Sequence, residues 1–287
     1  MAIVKMKHLR LVAMAEDREA VLRLLQHMGC VEVDETALQK DGPDAEAWEQ
    51  LKQQMTRLDT QGLSAAREEQ SQAERALGVL KRSAPAKGSF LSPKPEVAEK
   101  ELFDESEAQK ARGCVAEING LDARLSAIHA EEGKLAAQRV VLAPWLELDL
   151  PLETSSTDQV TIQLGTLPAA VSLEQAQQAL GEVGDLAQLS QVSADPDWRY
   201  CLFVCHDSQA QQGLDALKEL GWSRANLREW TGTAQENDQR ITQELERLAQ
   251  ERKEIEAKLA GMGGSRSAVQ RLSDLAQVNA NREESRG

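Results

Sequence analysis

The stretch Ala111–Leu135 limits this chain's fold more than any other. Apolar residues recur at Ala111, Cys114, Ile118, Leu121, Leu125, Ile128 and Leu135, with one slot of the pattern taken by Glu132. Steps of three and four make this a heptad seam. The charges of Glu117, Asp122, Arg124, Glu131 and Lys134 stay off it. One seam helix is marginal alone in water, so the chain must bring partner helices to it.

Composition narrows the function classes. The 287 residues carry a net charge of -14. Such an acidic surface argues against nucleic acid, whose phosphates call for a Lys/Arg excess. It argues equally against docking on anionic lipid. Aromatic residues make up 3% of the chain, too few for a large compact core but enough for thin helical layers built on Leu and Ala. Lys5, Lys7, His8 and Arg10 interrupt Met1–Ala15, so it has no secretory apolar core. The run Val140–Leu146 is too short to cross a bilayer, which predicts no membrane insertion. Cys30, Cys114, Cys201 and Cys205 sit inside apolar patterns. They read as reduced core residues of a cytoplasmic protein.

Taken in order, residues 1–34 read as strand, helix, strand. Leu9, Leu11 and Ala13 open it, Asp17 is placed to cap a helix with the stripe Val21, Leu24, Leu25 and Met28, and Gly29 ends that helix. Val31 and Val33 give the second strand. Two strands make a marginal sheet, so this lobe reads as incomplete. Gly42-Pro43 opens a helix with the seam Trp48, Leu51, Met55 and Leu58. A later seam, Leu63, Ala66, Ala73, Leu77 and Leu80, is out of phase by one residue, with the slip at Gly62. A one-residue slip turns the face by about 100°. Either the helix twists there, or Thr60–Ser64 is a turn and Ser64 caps a new helix. Residues 83–95 form a Pro/Gly/Ser linker. The long helix follows, over roughly 96–138.

Residues 140–230 change character. Val160–Leu164 alternates like a strand that stops at Gly165, Leu186–Val192 suggests another, and Tyr200–Cys205 is apolar on both faces like a central strand. Ser172-x-x-Gln175 and Ser208-x-x-Gln211 have the form of helix-capping boxes, and Trp222–Trp230 suggests an edge strand. This α/β lobe holds 13 acidic against 4 basic residues. That surface reads as a solvated face or, more sharply, as a docking surface for a basic helix. Thr233-x-x-Glu236 then caps a third seam of Ile241, Leu245, Leu248, Ile255 and Leu259, interrupted at Gly261, Gly263 and Gly264. Val269, Leu272 and Leu275 resume it weakly.

Candidate chemistry is sparse. Cys201, Cys205 and His206 suggest a metal, but two strand residues four apart lie about 13 Å apart, and zinc needs both sulfurs at about 2.3 Å from one ion. Buried strand cysteines are the better reading. His8, His27 and His129 are scattered, with no second histidine at i+4. The Gly261–Gly264 run follows a helix and has no Lys-Ser/Thr after it, which makes it a hinge and not a phosphate loop. No nucleophile elbow is present. Neither a catalytic set nor a cofactor or metal site is therefore expected. Trp145, Trp222 and Trp230 are candidates either for lobe core or for partner-binding anchors.

The order of the segments resembles a known family. Met1–Lys7 with Leu9–Ala13, then Leu24-Leu-Gln-His-Met-Gly-Cys-Val-Glu-Val33, resemble the N-terminus of subunit I of V/A-type ATP synthases, the counterpart of subunit a of vacuolar ATPases. Pro144-Trp-Leu-Glu-Leu-Asp-Leu-Pro151, Leu164-Gly-Thr-Leu-Pro168, and Leu217–Trp222 through Thr231-Gly-Thr233 are similar to its distal lobe. The resemblance implies a cytoplasmic, predominantly helical α+β domain. It would be an elongated antiparallel bundle or coiled coil with a small α/β lobe at each end. The parts are a partial proximal lobe over 1–42, rod helices over 43–139, the distal lobe over 140–231 and a return helix over 232–287. It also implies a non-catalytic stator role in proton transport. The partners would be peripheral-stalk coiled-coil subunits and a membrane sector that this sequence does not contain, proton-path arginine included.

Lobes at opposite ends of a rod require an odd number of helical passes before Pro144. A break at Gly62 supplies them as out, back and out, with 233–284 returning. Two other classes stay open: a free-standing coiled-coil adaptor with an inserted α/β domain, and an enzyme sited in the distal lobe.

Overall fold

The computed structural model describes Lys7, Leu9, Leu11 and residues 13–31, 60–85, 97–227 and 229–284. The predicted helix at 44–58 and most of the linker at 83–95 lie outside these. The described chain forms two compact units, Met1–Asp122 with Lys258–Gly287, and Ala123–Ala257. The divisions fall inside two long helices.

In the first unit, α1 (Arg18–Met28) ends at Gly29, whose φ of 61° is the left-handed cap expected there. Asp17 occupies the N-cap position but makes no capping bond, because a 3₁₀ turn over Ala15–Asp17 precedes it. Leu9, Leu11, Ala13 and Val31 are not in strands, and the rest of those two predicted strands lies outside the described residues.

Helix α2 (Thr60–Ser83) is helical from Thr60. Gly62 therefore sits in its first turn and Ser64 caps nothing, contrary to the turn expected at 60–64. A Cβ at Gly62 would meet only the movable end of the Glu283 side chain on α8 (Arg266–Glu284), 3.0 Å away. Helices α2 and α8 are close-packed neighbours. Ala66, Ala73, Ala76 and Leu80 are buried on one, and Val269, Leu272, Leu275, Ala276 and Ala280 on the other. Arg67 pairs with Glu284, while Arg266 near the other end of α8 donates 2.6 Å to the carbonyl of Ala84 and 3.0 Å to that of Leu80. The two helices are thus antiparallel, and Arg266 closes the C-terminal end of α2.

A short α3 (Glu99–Leu102) precedes α4 (Glu105–Leu142). The single helix expected over 96–138 is split at Phe103–Asp104. The Asp104 carboxylate accepts from the amides of Ser106 and Glu107 at 3.0 and 3.3 Å, an N-cap that restarts the helix. Arg112 bonds Glu69, Asn119 bonds the Gln72 carbonyl and Arg82 meets Asp122. Partner numbers rise together, so α2 and the first half of α4 run parallel. This overturns the out-back-out scheme, which required them to be antiparallel.

In the second unit, four strands form an antiparallel sheet in the order β2-β3-β1-β4: β1 Val160–Pro168, β2 Ala187–Ala194, β3 Trp198–His206 and β4 Ser223–Arg224. Strand β3 is central, as its two apolar faces predict. Cys201, Phe203 and Cys205 enter the core beneath α5 (Leu173–Val183) and α6 (Asp207–Glu219), while Tyr200 and Leu202 face the other core. Strand β1 does not stop at Gly165. It runs to Pro168 because its ladder with β3 continues through Gly165 to Pro168, and the Trp222 indole occupies the space a side chain would need at Gly165. The edge strand expected over 222–230 shrinks to two residues.

Ser172 and Gln175 form the predicted capping box of α5, and Thr233 and Glu236 that of α7 (Ala234–Gly261). Helix α6 begins one residue before Ser208, so His206 takes the cap instead, its Nδ1 accepting from the Ser208 amide. After α7 the glycine run forms a 3₁₀ turn over Met262–Ser265.

Candidate interaction surface

The seam of α4 is read most directly from burial. Ala108, Ala111, Val115, Ile118 and Ile128 are buried, while Cys114, Leu121, Leu125 and Leu135 are half-buried. Val115 takes the place predicted for Cys114. On α7, Ile241, Leu248, Ile255 and Leu259 are buried as expected. In the second unit Arg124 pairs with Glu251 at 2.6 Å and Arg139 with Asp238 at 2.7 Å. In the first, Glu117 pairs with Lys258 at 2.6 Å. Partner numbers fall as α4 numbers rise, so these helices are antiparallel, with charge pairs flanking an apolar seam. Glu251 is held below the usual carboxylate range, chiefly by the hydrogen bond from Arg124. Glu244 is lowered likewise by Arg247.

The chain from Leu142 to Leu152 turns from α4 into the sheet. Leu142, Trp145, Leu148 and Leu152 point inward to a core shared with Leu227, Ala234 and Ile241. Pro144 sits in a 3₁₀ turn, its carbonyl accepting 2.6 Å from the Ser193 hydroxyl. The Leu152 amide donates to the Gly232 carbonyl and the Gly232 amide to Glu153, at 2.9 and 2.8 Å. Pro144–Pro151 and Thr231–Thr233, two of the stretches that carry the family resemblance, thus lie at the two ends of one bonded junction.

The three tryptophans fall unevenly between the two roles set out for them. Trp145 is 2% exposed and packs edge-on against Tyr200, with centroids 5.6 Å apart. Trp222 is 8% exposed, edge-on to Phe203 at 6.4 Å, and its indole N–H has no protein acceptor. Both are core. Trp230 is half-buried at the rim of the Trp145 core and keeps a partly exposed face.

Of the cysteines, only Cys201 and Cys205 are buried as predicted, and burial pushes Cys201 up to about 11. Cys30 is exposed, because the left-handed turn at Gly29 carries it off α1. Cys114 is half-buried beside Val115.

A cleft of about 430 Å³ in the first unit is lined by Arg23, Phe103, Glu105, Arg112, Asn279 and Arg282 among others. Arg112 is bound there by Glu69 and Glu105, and Arg282 stacks over Phe103 at 5.8 Å from the ring centroid. Among the described residues no three His, Cys, Asp or Glu side chains are grouped to hold a metal, and no helix is long and apolar enough to cross a membrane.

A solved structure is similar over most of the chain: the crystal structure of the cytoplasmic N-terminal domain of subunit I, homolog of subunit a, of V-ATPase. The likeness covers 94% of this chain and 84% of that one, with a TM-score of 0.50 and 19% sequence identity. The two share a fold. No protein-family model and no curated protein sequence matches the chain. The expected fold class, a mainly helical α+β domain of this type, therefore holds.

Proposed function

We propose that the chain is the cytoplasmic part of subunit I of a V/A-type rotary ATPase or ATP synthase, acting as a stator. One observation carries the reading: the fold likeness to a subunit I cytoplasmic domain, which extends over nearly the whole chain. The order of the subunit I-like stretches in the sequence supports it. In this role the chain catalyses nothing. It resists rotor torque at the cytoplasmic face of the membrane, held by peripheral-stalk coiled-coil subunits and by the membrane sector of the same complex.

The interior suits a mechanical task. Helix α4 continues for 38 residues, about 57 Å at 1.5 Å per residue, without proline inside it. Flanking ion pairs tie it to α7, and such cross-helix pairs fix register and orientation more than they add strength. Among the tryptophans, we assign contact with a stalk subunit to Trp230, and its half-buried state supports that choice.

The test is co-purification of the full chain with the peripheral-stalk subunits encoded in the same genome. A stoichiometric complex supports the stator role. A chain that leaves those subunits unbound while engaging another coiled coil would make it a free-standing adaptor.

A further inference from the structure

The end of α4 and the turn after it carry apolar side chains that the core leaves partly or mostly uncovered. Val140 is 74% exposed, Val141 50%, Leu146 38% and Leu150 36%. Valine is a poor helix former, so two exposed valines in a last helical turn gain nothing from propensity. All four belong to one eleven-residue stretch. The alternate residues Leu142, Trp145 and Leu148 anchor it from beneath, and the Ser193–Pro144 hydrogen bond fixes its turn. The outward apolar groups are therefore held in place by packing. Exposed apolar groups gathered within one short, anchored stretch supply the material of an interaction site.

Charge selects the occupant. Glu147 and Asp149 lie between the two leucines, exposed, and neither makes a hydrogen bond or ion pair among the described residues. Two of the four basic residues of 140–230 are already engaged, Arg199 with Gln191 and with the carbonyls of Ala169 and Val171, and Lys218 with Asp215. A second copy of the chain would bring the same acidic surface, and anionic lipid would be repelled as well.

We infer that Val140, Val141, Leu146 and Leu150 seat one amphipathic helix of another protein, its apolar stripe flanked by Lys or Arg that meet Glu147 and Asp149. The inference rests on the stator reading only in naming a stalk subunit as the natural source of that helix. The patch itself is defined by exposure and charge.

The probe is a designed amphipathic peptide helix with leucines at heptad spacing and lysine flanks, titrated calorimetrically into the full chain at low salt. Its counterpart has glutamate flanks. The lysine peptide should bind at least about tenfold tighter than the glutamate peptide. Val140→Lys with Val141→Lys should weaken it by about tenfold or more, since central apolar contacts dominate such sites. Lysine suits a helix C-terminus, so that variant should keep its fold, checked by tryptophan fluorescence and circular dichroism. Val140→Thr with Val141→Thr, nearly isosteric, should weaken it less. Glu147→Gln with Asp149→Asn should flatten the salt dependence.

Equal binding of the two peptides, unchanged binding to the valine variants, or a valine-dependent dimer in sedimentation would overturn the inference. Stalk subunits that bind parent and Val140→Lys/Val141→Lys chains alike would sink the patch and leave the stator role standing. Stalk subunits that do not bind the parent at all would sink the stator role, and the peptide titration would still decide the patch.

Discussion

Glu132 on α4 and Arg252 on α7 meet at 3.6 Å, each at a position where its own seam lacks an apolar side chain. Glu132 stands between Ile128 and Leu135, and Arg252 between Leu248 and Ile255. The two long side chains reach diagonally along the antiparallel pair to join the two slots. A polar pair inside a seam trades stability for register. Replacing both with leucine should leave the protein at least as stable as the parent. Either single replacement should cost roughly 0.5–1 kcal/mol. Denaturant unfolding of the three variants checks this as a double-mutant cycle, and strictly additive effects would refute it.

Acid should loosen the same helix pair. The Glu251 carboxylate is lowered by Arg124, so its stabilising contribution is complete above the unfolded carboxylate value, about 4.3. It is lost as pH falls through the lower folded value. The melting temperature of Glu251→Gln should lie below the parent's at pH 7, and the gap should narrow steadily below about pH 4.3. A gap that stays constant down to pH 3 contradicts the pairing.

Gly165→Ala should damage the sheet. The added Cβ would fall on the Trp222 indole and within 2.7 Å of the Ser223 carbonyl oxygen, pushing β4 away from β1. Overpacking of this kind costs about 1–3 kcal/mol. Chemical unfolding gives the size, and a red shift of tryptophan emission would report Trp222 leaving its pocket.

Thiol chemistry should separate the cysteines. At pH 8 an aromatic disulfide reagent should modify Cys30 first, because it alone is exposed. Cys201, with its thiol pushed up to about 11 inside the sheet core, should wait for unfolding. Cys30→Ser should abolish the fast phase. A fast phase that survives the substitution would mean the core opens readily.

Much of this architecture is legible in the residues. The capping boxes at Ser172 and Thr233, the end of α1 at Gly29, the central strand around Phe203 and the seam of α7 all depend on neighbours a few positions away. Misreadings occur where a distant group intervenes. Gly165 looks like a strand end until Trp222 is seen to fill its missing side chain. Gly62 looks like a break, yet the helix runs through it from Thr60, where α2 packs against α8. Ser208 has the sequence of a cap, yet His206 reaches the free amide first.

Partner and direction are different in kind. Hydrophobic periodicity marks which face of a helix is buried, and that stripe is the same beside a parallel or an antiparallel neighbour. The sequence by itself therefore determined the helices of α4 and α7, their buried faces and the polar slots at Glu132 and Arg252. Only the tertiary structure decided that those slots meet, that α2 runs parallel to α4, and that Val140 and Val141 stay in solvent. Each of these depends on groups far apart in the chain, brought together by packing that local pattern does not encode.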